Sequence, residues 1–444
     1  MSLSVSTRHL LRRGLRGFLL VQIAAVASLM GADRLRRMVR GNDVGELPPA
    51  EPVEHEIGDA DSCVTTYTYG ATLFDDMLAA IGSASERVLL ESYIVKNDAT
   101  GRAFKQALID AAARGVDVRV VYDGFANLVV RRSFFDFPEG IGVYRYPVWN
   151  AGINVLSPRR QGRDHRKILV VDDTTAFVGG YNIGATYATE WRDTHVRVTG
   201  TAVWDLENAF IDFWNANATV DTRNPQGPLA PSSTATWRPQ VRAHRNVPQQ
   251  LIYPIRAMYL EAIDRAHTSI DITAAYFIPD RDILAALLAA AKRGVTVRIL
   301  VPKVSNHVVT DWLSRGFYGR LLRGGVQIHR YSGHMVHAKT ATIDGEWSTV
   351  GTANIDRLSL LGNYEINLEL LDAFDHRNDG VPGALKAEVR RTQTCNLIKD
   401  HLPKMHLHPG GRLVGNHGPQ VFQPATHNHD DTNAYKRKHQ FPNR

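Results

Sequence analysis

Residues 164–184 read "DHRKILVVDDTTAFVGGYNIG", and residues 336–356 read "VHAKTATIDGEWSTVGTANID". Each stretch carries His-x-Lys, four residues and Asp, then Gly-Gly or Gly-Thr, one residue and Asn. The offset is the same for the histidines (165 to 337) and for the asparagines (182 to 354), 172 positions. The β-branched apolar runs predict strands, in which side chains two apart share a face. His165 and Lys167 then point one way and Arg166 the other, and His337 and Lys339 share a face in the same manner. A single copy would fit an edge strand with solvated basic residues. A second copy at an equal offset argues against that reading.

The duplication extends upstream of the motifs. "TLFDDMLAAIGSASERVLLESYIV" (72–95) reads as helix then strand, and "GRAFKQALIDAAARGVDVRVVYDG" (101–124) repeats that order, with Gly115 closing the helix. "IRAMYLEAIDRAHTSIDITAAYFIP" (255–279) and "RDILAALLAAAKRGVTVRILVPK" (281–303) match them in turn, with Gly294 as the cap. Alternating helix and strand predicts an α/β sheet protein, and the matched units predict an internal duplication. The 444 residues, 44% of them hydrophobic, suffice for two such halves.

Charge is unevenly placed. The formal net charge is +7, yet the first 40 residues alone hold eight arginines (Arg8, Arg12, Arg13, Arg16, Arg34, Arg36, Arg37, Arg40) against Asp33. The remaining 404 residues balance to zero, which argues against a nucleic-acid binder. The basic N-terminus encloses "GFLLVQIAAVASLMGA" (17–32), sixteen residues without charge. As a helix this spans about 24 Å, short of a hydrocarbon core of roughly 30 Å. Three readings remain open: an interfacial or signal-anchor helix gripping anionic headgroups, a signal peptide cleaved after Ala25-Val26-Ala27, and a soluble docking helix. We favour a membrane-surface protein with its arginines on the cytoplasmic side. The two cysteines, Cys63 and Cys395, form neither a disulfide framework nor a metal spacing, and fit a reducing compartment.

The expected organisation is therefore a basic, apolar membrane-associating segment (1–45), a first half (46–222), a linker (223–245), a second half (246–400) and a tail (401–444). The proline- and serine-rich "TRNPQGPLAPSSTATW" (222–237) marks the linker, and the tail holds seven of the eighteen histidines without a firm ligand spacing. Disorder is the expectation for that tail.

Two lysine cations and two amide donors, Lys167 with Lys339 and Asn182 with Asn354, would cradle a phosphodiester under attack. One imidazole can attack phosphorus while the other protonates the departing alkoxide, and the roles then reverse. Carboxylates at matched distances fit this scheme: Asp193 and Glu365 each lie 28 positions behind a motif histidine, His165 and His337 respectively. A carboxylate accepting the far ring N–H would fix the tautomer and raise basicity. Asp172 and Asp344 stand an odd number of positions from their histidines and should face away, so a supporting hydrogen-bond role is expected for them. A metal mechanism is disfavoured, because a lysine beside each histidine would repel a divalent ion and supplies the charge itself. No cofactor is expected.

At these residues the chain resembles the phospholipase D superfamily, whose signature is the duplicated His-x-Lys-x4-Asp followed by Gly-Gly/Ser-x-Asn. More closely it resembles bacterial cardiolipin synthases, through "HRKILVVD", "GGYNIGATY", "WRDTHVRVTG", "YFIPD", "HAKTATIDGEWSTVGTANIDRLSLLGNYEINLEL" and the "RGVDVRV"/"RGVTVRI" pair. The resemblance implies two pseudo-symmetric phospholipase D-like halves, each a mixed β-sheet flanked by helices, around one shared active site. It also implies transfer of a phosphatidyl group through a phosphohistidine, with His165 as nucleophile and His337 as acid/base. Phosphatidylglycerol would be the substrate and the cytoplasmic face of a bacterial inner membrane the location, through a peripheral contact or a single N-terminal anchor. Phosphatidylethanolamine could replace one phosphatidylglycerol as donor. A phospholipase D using water as acceptor, and a nuclease of the same superfamily, are the rival readings.

Two softer features complete the reading. "RGFYGRLL" (315–322), with Trp312, Phe317 and Tyr318, reads as an amphipathic helix on its sheet, with an acyl-chain groove as the alternative. Arg357 reads equally as a headgroup contact or a structural ion pair.

Overall fold

The computed structural model describes residues 47–56, 62–148, 162–218, 227–231 and 240–371, with Ser28 and Gly31. The expected N-terminal anchor and the His-rich tail lie outside these residues, as does Cys395. Among the described residues no helix is long and apolar enough to cross a membrane.

The first half runs β1 (Val53–Glu56), β2 (Ser62–Tyr67), α1 (Gly70–Ser83), β3 (Arg87–Ser92), α2 (Ala99–Ala113), β4 (Asp117–Asp123), β5 (Gly142–Tyr146), β6 (Lys167–Val171), β7 (Thr175–Gly179), α3 (Ala185–Thr189), β8 (Trp191–Arg192), β9 (His195–Gly200) and α4 (Val203–Asn217). The second half runs β10 (Val241–Asn246), α5 (Pro254–Arg265), β11 (Ser269–Ala274), β12 (Phe277–Ile278), α6 (Arg281–Lys292), β13 (Thr296–Pro302), α7 (Val308–Arg323), β14 (Gln327–Tyr331), β15 (Met335–Val336), β16 (Lys339–Ile343), β17 (Trp347–Gly351), β18 (Ile355–Asp356), α8 (Arg357–Leu361) and β19 (Glu365–Leu371).

The expected helix signals operate. Asp98 caps α2 through the Gly101 N–H, and Asp280 caps α6 through the N–H groups of Asp282 and Ile283. Gly115 and Gly294 follow the two helices at φ +94° and +95°, the left-handed conformation that lets the chain turn directly into the next strand.

Two mixed sheets result, ordered β1-β2-β9-β7-β6-β3-β4-β5 and β10-β19-β17-β16-β11-β13-β14. In the first, β3, β4 and β5 are parallel and β6 runs antiparallel to β3; β11, β13, β14 and β16 repeat that arrangement. The parallel strands therefore end at one edge, where the antiparallel strand begins. Lys167 pairs with Ser92, the last residue of β3, and Lys339 with Ala274, the last of β11. This topology puts both His-x-Lys segments at the same kind of sheet edge.

α4 and the facing surfaces of the two sheets enclose one buried cluster, which includes Val170, Val178, Phe210 and Trp214 from the first half and Val350, Ile366 and Leu368 from the second. The outer faces are covered by α1 and α2 on one side and by α5 and α6 on the other. The halves are thus two layers sharing a core, which aligns one motif against the other. One boundary differs from the sequence reading: residues 241–245, placed in the linker, join Asn246 in β10 and pair along β19. "VRAHRN" carries too little apolar alternation to read as a strand, and its backbone pairing supplies what its side chains do not.

Candidate active site

Two short parallel bridges cross between the halves. β15 pairs with β8, Val336 opposite Arg192, and Asp164 pairs with Tyr364. They are related by the same 172-position offset as the motifs. The His337 N–H donates to the Arg192 carbonyl (2.6 Å) and the His165 N–H to the Tyr364 carbonyl (3.0 Å). Each motif histidine is therefore held by its backbone next to the residue that precedes a carboxylate of the opposite half.

The side chains complete the exchange. His165 Nδ1 lies 2.9 Å from Glu365 Oε2, and His337 Nδ1 lies 2.6 Å from Asp193 Oδ2. The equal spacing in sequence placed one carboxylate behind each histidine, but each serves the histidine of the other half. A carboxylate only accepts, so in each pair the ring donates from Nδ1 and keeps Nε2 for chemistry.

The supporting partners of the two carboxylates differ. Thr352 Oγ1 donates to Glu365 Oε2 (2.6 Å). The position equivalent to Thr352 is Gly180, where a Cβ would lie 2.0 Å from Asp193 Oδ1. The Gly-Gly and Gly-Thr variants of the motif thus have a physical cause. Beside Asp193 only the bare backbone fits, whereas Glu365 takes a hydroxyl donor.

The lysines lie fully inside the protein. Lys167 Nζ donates to the His165 carbonyl (2.6 Å), Lys339 Nζ donates to the His337 carbonyl, and Lys339 Nζ also lies 3.9 Å from Asp193 Oδ2. Burial pushes Lys167 down to about 7, with Lys339 adding to the fall and Glu365 and Asp193 opposing it. Burial likewise pushes Lys339 down to about 8, against Asp193 and Glu365. Contacts of Glu365 with His165, and of Asp193 with His337 and Lys339, bring groups of both halves together.

Burial and then the Lys339 charge push His337 down to about 3, against Asp193. Burial, with a contribution from Lys167, also lowers His165, against Glu365. Burial raises the Asp193 carboxyl, but Lys339 and His337 outweigh it and the net is below its ordinary range. With both imidazoles neutral, each Nε2 offers a lone pair.

Asn182 and Asn354 follow the last residues of β7 and β17 and are buried, and the Oδ1 of each has no hydrogen-bond partner. Asp172 and Asp344 stand at the far ends of β6 and β16, in left-handed turns at φ 51° and 55°. Asp172 accepts from the N–H groups of Ser85, Glu86 and Arg87, and Asp344 from those of His267, Thr268 and Ser269. These two motif members, grouped with the catalytic set in the sequence, are occupied by backbone hydrogen bonds at the strand ends away from the histidines.

Aromatic walls went unread in the sequence. Tyr93 meets the His165 ring edge-on at 4.6 Å, while Trp191 and Tyr276 flank His337 at 5.3 and 6.0 Å. A signal existed, since Tyr93 and Tyr276 close the matched units "ESYIV" and "AAYFIP". Arg166 turns away from His165 as predicted. It reaches the shared core, bound to Glu91 (2.6 Å) and the Ala209 carbonyl (3.0 Å), with Phe213 beneath its guanidinium. Of the aromatic trio in 312–318, Phe317 and Tyr318 pack on the second core, whereas Trp312 is 73% exposed.

Two His-x-Lys half-sites facing each other across a pseudo-twofold, each histidine buttressed from the opposite half, place the molecule in the phospholipase D superfamily. The chain belongs to the cardiolipin synthase-type phosphatidyltransferases of that superfamily: the family model described as "Cardiolipin synthase, PLD-like domain" matches residues 77–214 and 259–377. The chain is 32% identical over 328 residues to "Major cardiolipin synthase ClsA" of Bacillus subtilis, covering 72% of this chain and 67% of that protein. It is 33% identical over 306 residues to "Cardiolipin synthase" of Geobacillus kaustophilus, covering 68% and 61%. The match thus spans roughly two thirds of the length of these relatives. Among solved structures, phosphatidylserine synthase of Haemophilus influenzae shares the fold, with a TM-score of 0.58 at 13% identity over 81% of this chain and 90% of that one.

Proposed function

We propose that this chain makes cardiolipin at a membrane surface, transferring a phosphatidyl group from one phosphatidylglycerol to the hydroxyl of a second and releasing glycerol. The observation that carries this reading is the crossed pairing, His165 with Glu365 and His337 with Asp193, between two buried lysines. The family membership supplies the phosphatidyl chemistry.

In the first step the His165 Nε2 lone pair attacks phosphorus and the bond to the glycerol oxygen breaks. His337 gives its Nε2 proton to that oxygen. Before substrate binds His337 is neutral; a bound phosphodiester anion offsets the Lys339 charge and raises the proton affinity of both rings, so substrate binding loads the acid. The lysine ammonium groups and the Asn182 and Asn354 amides offset the charge that builds on the phosphoryl oxygens. In the second step neutral His337 takes the proton of the incoming lipid hydroxyl. Its oxygen attacks phosphorus, the Nε2–P bond breaks, and His165 returns to its starting form. The assignment of His165 as nucleophile follows the family resemblance, since the two half-sites are alike in outline.

Lipid mass spectrometry after incubating the protein with phosphatidylglycerol vesicles tests the reading. Cardiolipin and glycerol in equal amounts are expected, and neither from His165→Ala or His337→Ala. Phosphatidic acid in place of cardiolipin would make water the acceptor and the enzyme a phospholipase. Turnover that required phosphatidylethanolamine would change the donor.

A further inference from the structure

Large apolar side chains left in water gather at one edge of the molecule. Of the thirteen that are exposed among the described residues, eleven fall on four segments that all leave strand ends at the active-site edge. A scatter of single apolar residues is ordinary, but concentration around one mouth is not.

The first segment follows β4 and carries Phe125, Leu128 and Val129, the last 70% exposed. It is fixed to the site: the Asn127 amide donates to the Tyr93 carbonyl, and Tyr93 contacts His165. The second segment opens α7 after β13, with Trp312 at 73% and Leu313 beside it. It is tied through Asn306, which accepts from the hydroxyl of Tyr276, the neighbour of His337. The third is α8, directly behind Asn354, where Leu358 is 72% exposed. The fourth, the turn after β10, joins α8 through the Asn246 amide, which donates to the Ser359 carbonyl. The apolar residues therefore leave the active-site edge on segments drawn from both halves.

Exposed arginines stand next to these tips. Arg131 and Arg132 follow the first cluster, Arg315 lies about one turn beyond Trp312, and Arg357 precedes Leu358. Apolar tips with guanidinium groups beside them match the boundary between acyl chains and anionic headgroups. We infer that this rim enters the bilayer: the Leu128, Trp312 and Leu358 segments insert among the acyl chains, the arginines meet lipid phosphates, and the mouth between them receives a phospholipid without exposing its tails to water. The inference rests on the lipid-substrate reading and adds the surface by which that substrate arrives.

The test uses the full chain with Cys63 and Cys395 replaced by serine. A polarity-sensitive fluorophore is placed at Leu128→Cys, at Trp312→Cys, or at Lys292→Cys on the opposite edge. On phosphatidylglycerol vesicles a blue shift and quenching by acyl-chain bromines are expected at 128 and 312 and not at 292. Labels at 128 and 312 that stay in water while the protein is vesicle-bound would overturn the inference, even if residues 1–45 hold the chain on the membrane. A chain that binds no vesicles would overturn it as well.

Leu128→Glu combined with Trp312→Glu should lower turnover on vesicles by roughly tenfold or more while sparing monomeric short-chain phosphatidylglycerol. Equal loss on both substrates would overturn the inference. Absence of wild-type turnover on either substrate would instead sink the transferase reading, and the fluorophore result would still decide whether the rim enters lipid.

Discussion

His165 and Glu365 are 200 positions apart and belong to different halves, yet their side chains meet at 2.9 Å inside the protein. The contact is prepared by the backbone, because the His165 N–H bonds the Tyr364 carbonyl. Neither half therefore holds both members of a histidine–carboxylate pair.

The crossing predicts which half-reaction each carboxylate supports. Glu365→Gln should impair attack by His165, and Asp193→Asn should impair proton donation by His337. Each should cost on the order of 10²–10⁴ in turnover, as loss of the orienting carboxylate does in hydrolytic triads. An activated phosphodiester with a nitrophenolate leaving group needs no proton, so it should restore the first step in Asp193→Asn and not in Glu365→Gln. Rescue of the opposite variant would refute the crossed assignment.

The same logic identifies the nucleophile. With the activated substrate, His337→Ala should build up a phosphorylated protein, because attack proceeds while the base for the second step is missing. Peptide mass spectrometry should place the phosphoryl group on His165. Its appearance on His337 in the His165→Ala protein instead would reverse the roles.

How much of this was legible in the sequence follows from periodicity. A two-residue repeat on a strand was enough to put His165 and Lys167 on one face, Arg166 on the other, and Asp172 out of reach. The repeated helix–strand units and the caps at Gly115 and Gly294 gave the α/β halves. The pairing of Asp193 with His337 was not legible, because a spacing within one half carries no information about which edge of the other half it meets. Nor was β10, whose polar "VRAHRN" is recruited by the free edge of β19. The apolar rim escaped for a related reason: Leu128, Trp312 and Leu358 lie in unrelated segments, and only the folded edge gathers them.

Activity and stability should respond to alkaline pH in opposite directions. Burial lowers Lys167 to about 7 and Lys339 to about 8 in the folded protein. The free enzyme loses these cations as pH rises through that range, so kcat/KM should fall there. For stability the sign is reversed. Between these values and the ordinary lysine value of about 10.4 the unfolded chain binds more protons, so the contribution of these two groups to stability grows with pH. A pH series of kcat/KM beside denaturation midpoints checks both trends. Lys167→Arg, which stays charged, should flatten the part of the alkaline limb owed to Lys167, and an unchanged limb would exclude that residue as its origin.

Asp172 and Asp344 should prove structural. Each satisfies three backbone N–H groups from a left-handed turn residue. Asp172→Ala removes those acceptors and leaves a Cβ in a strained conformation, at a cost of about 2–4 kcal/mol. Asn, which tolerates that conformation and keeps one acceptor oxygen, should cost less. Denaturant titration gives the stability, and turnover normalised to folded protein should stay within a few-fold of wild type. A loss per folded molecule comparable to that of His165→Ala would return Asp172 to the chemistry.

The asymmetry between Gly180 and Thr352 supplies the last test, because it separates the two half-sites without touching a reacting group. A Cβ at 180 would collide with Asp193 Oδ1, so Gly180→Ala must displace the carboxylate that serves His337. Thr352→Ala has no such clash. It only removes the hydroxyl donated to Glu365, the partner of His165. Loss of one hydrogen bond to a buried carboxylate is worth about 1.5–3 kcal/mol, or roughly 10- to 150-fold in rate if it is expressed in the transition state. Thr352→Ser keeps the hydroxyl and should recover most of that loss. Gly180→Ala should behave like a weakened Asp193→Asn, rescued by the activated leaving group, while Thr352→Ala should behave like a weakened Glu365→Gln and remain slow. Identical responses of the two variants to the leaving group would mean that the two carboxylates do not serve separate histidines.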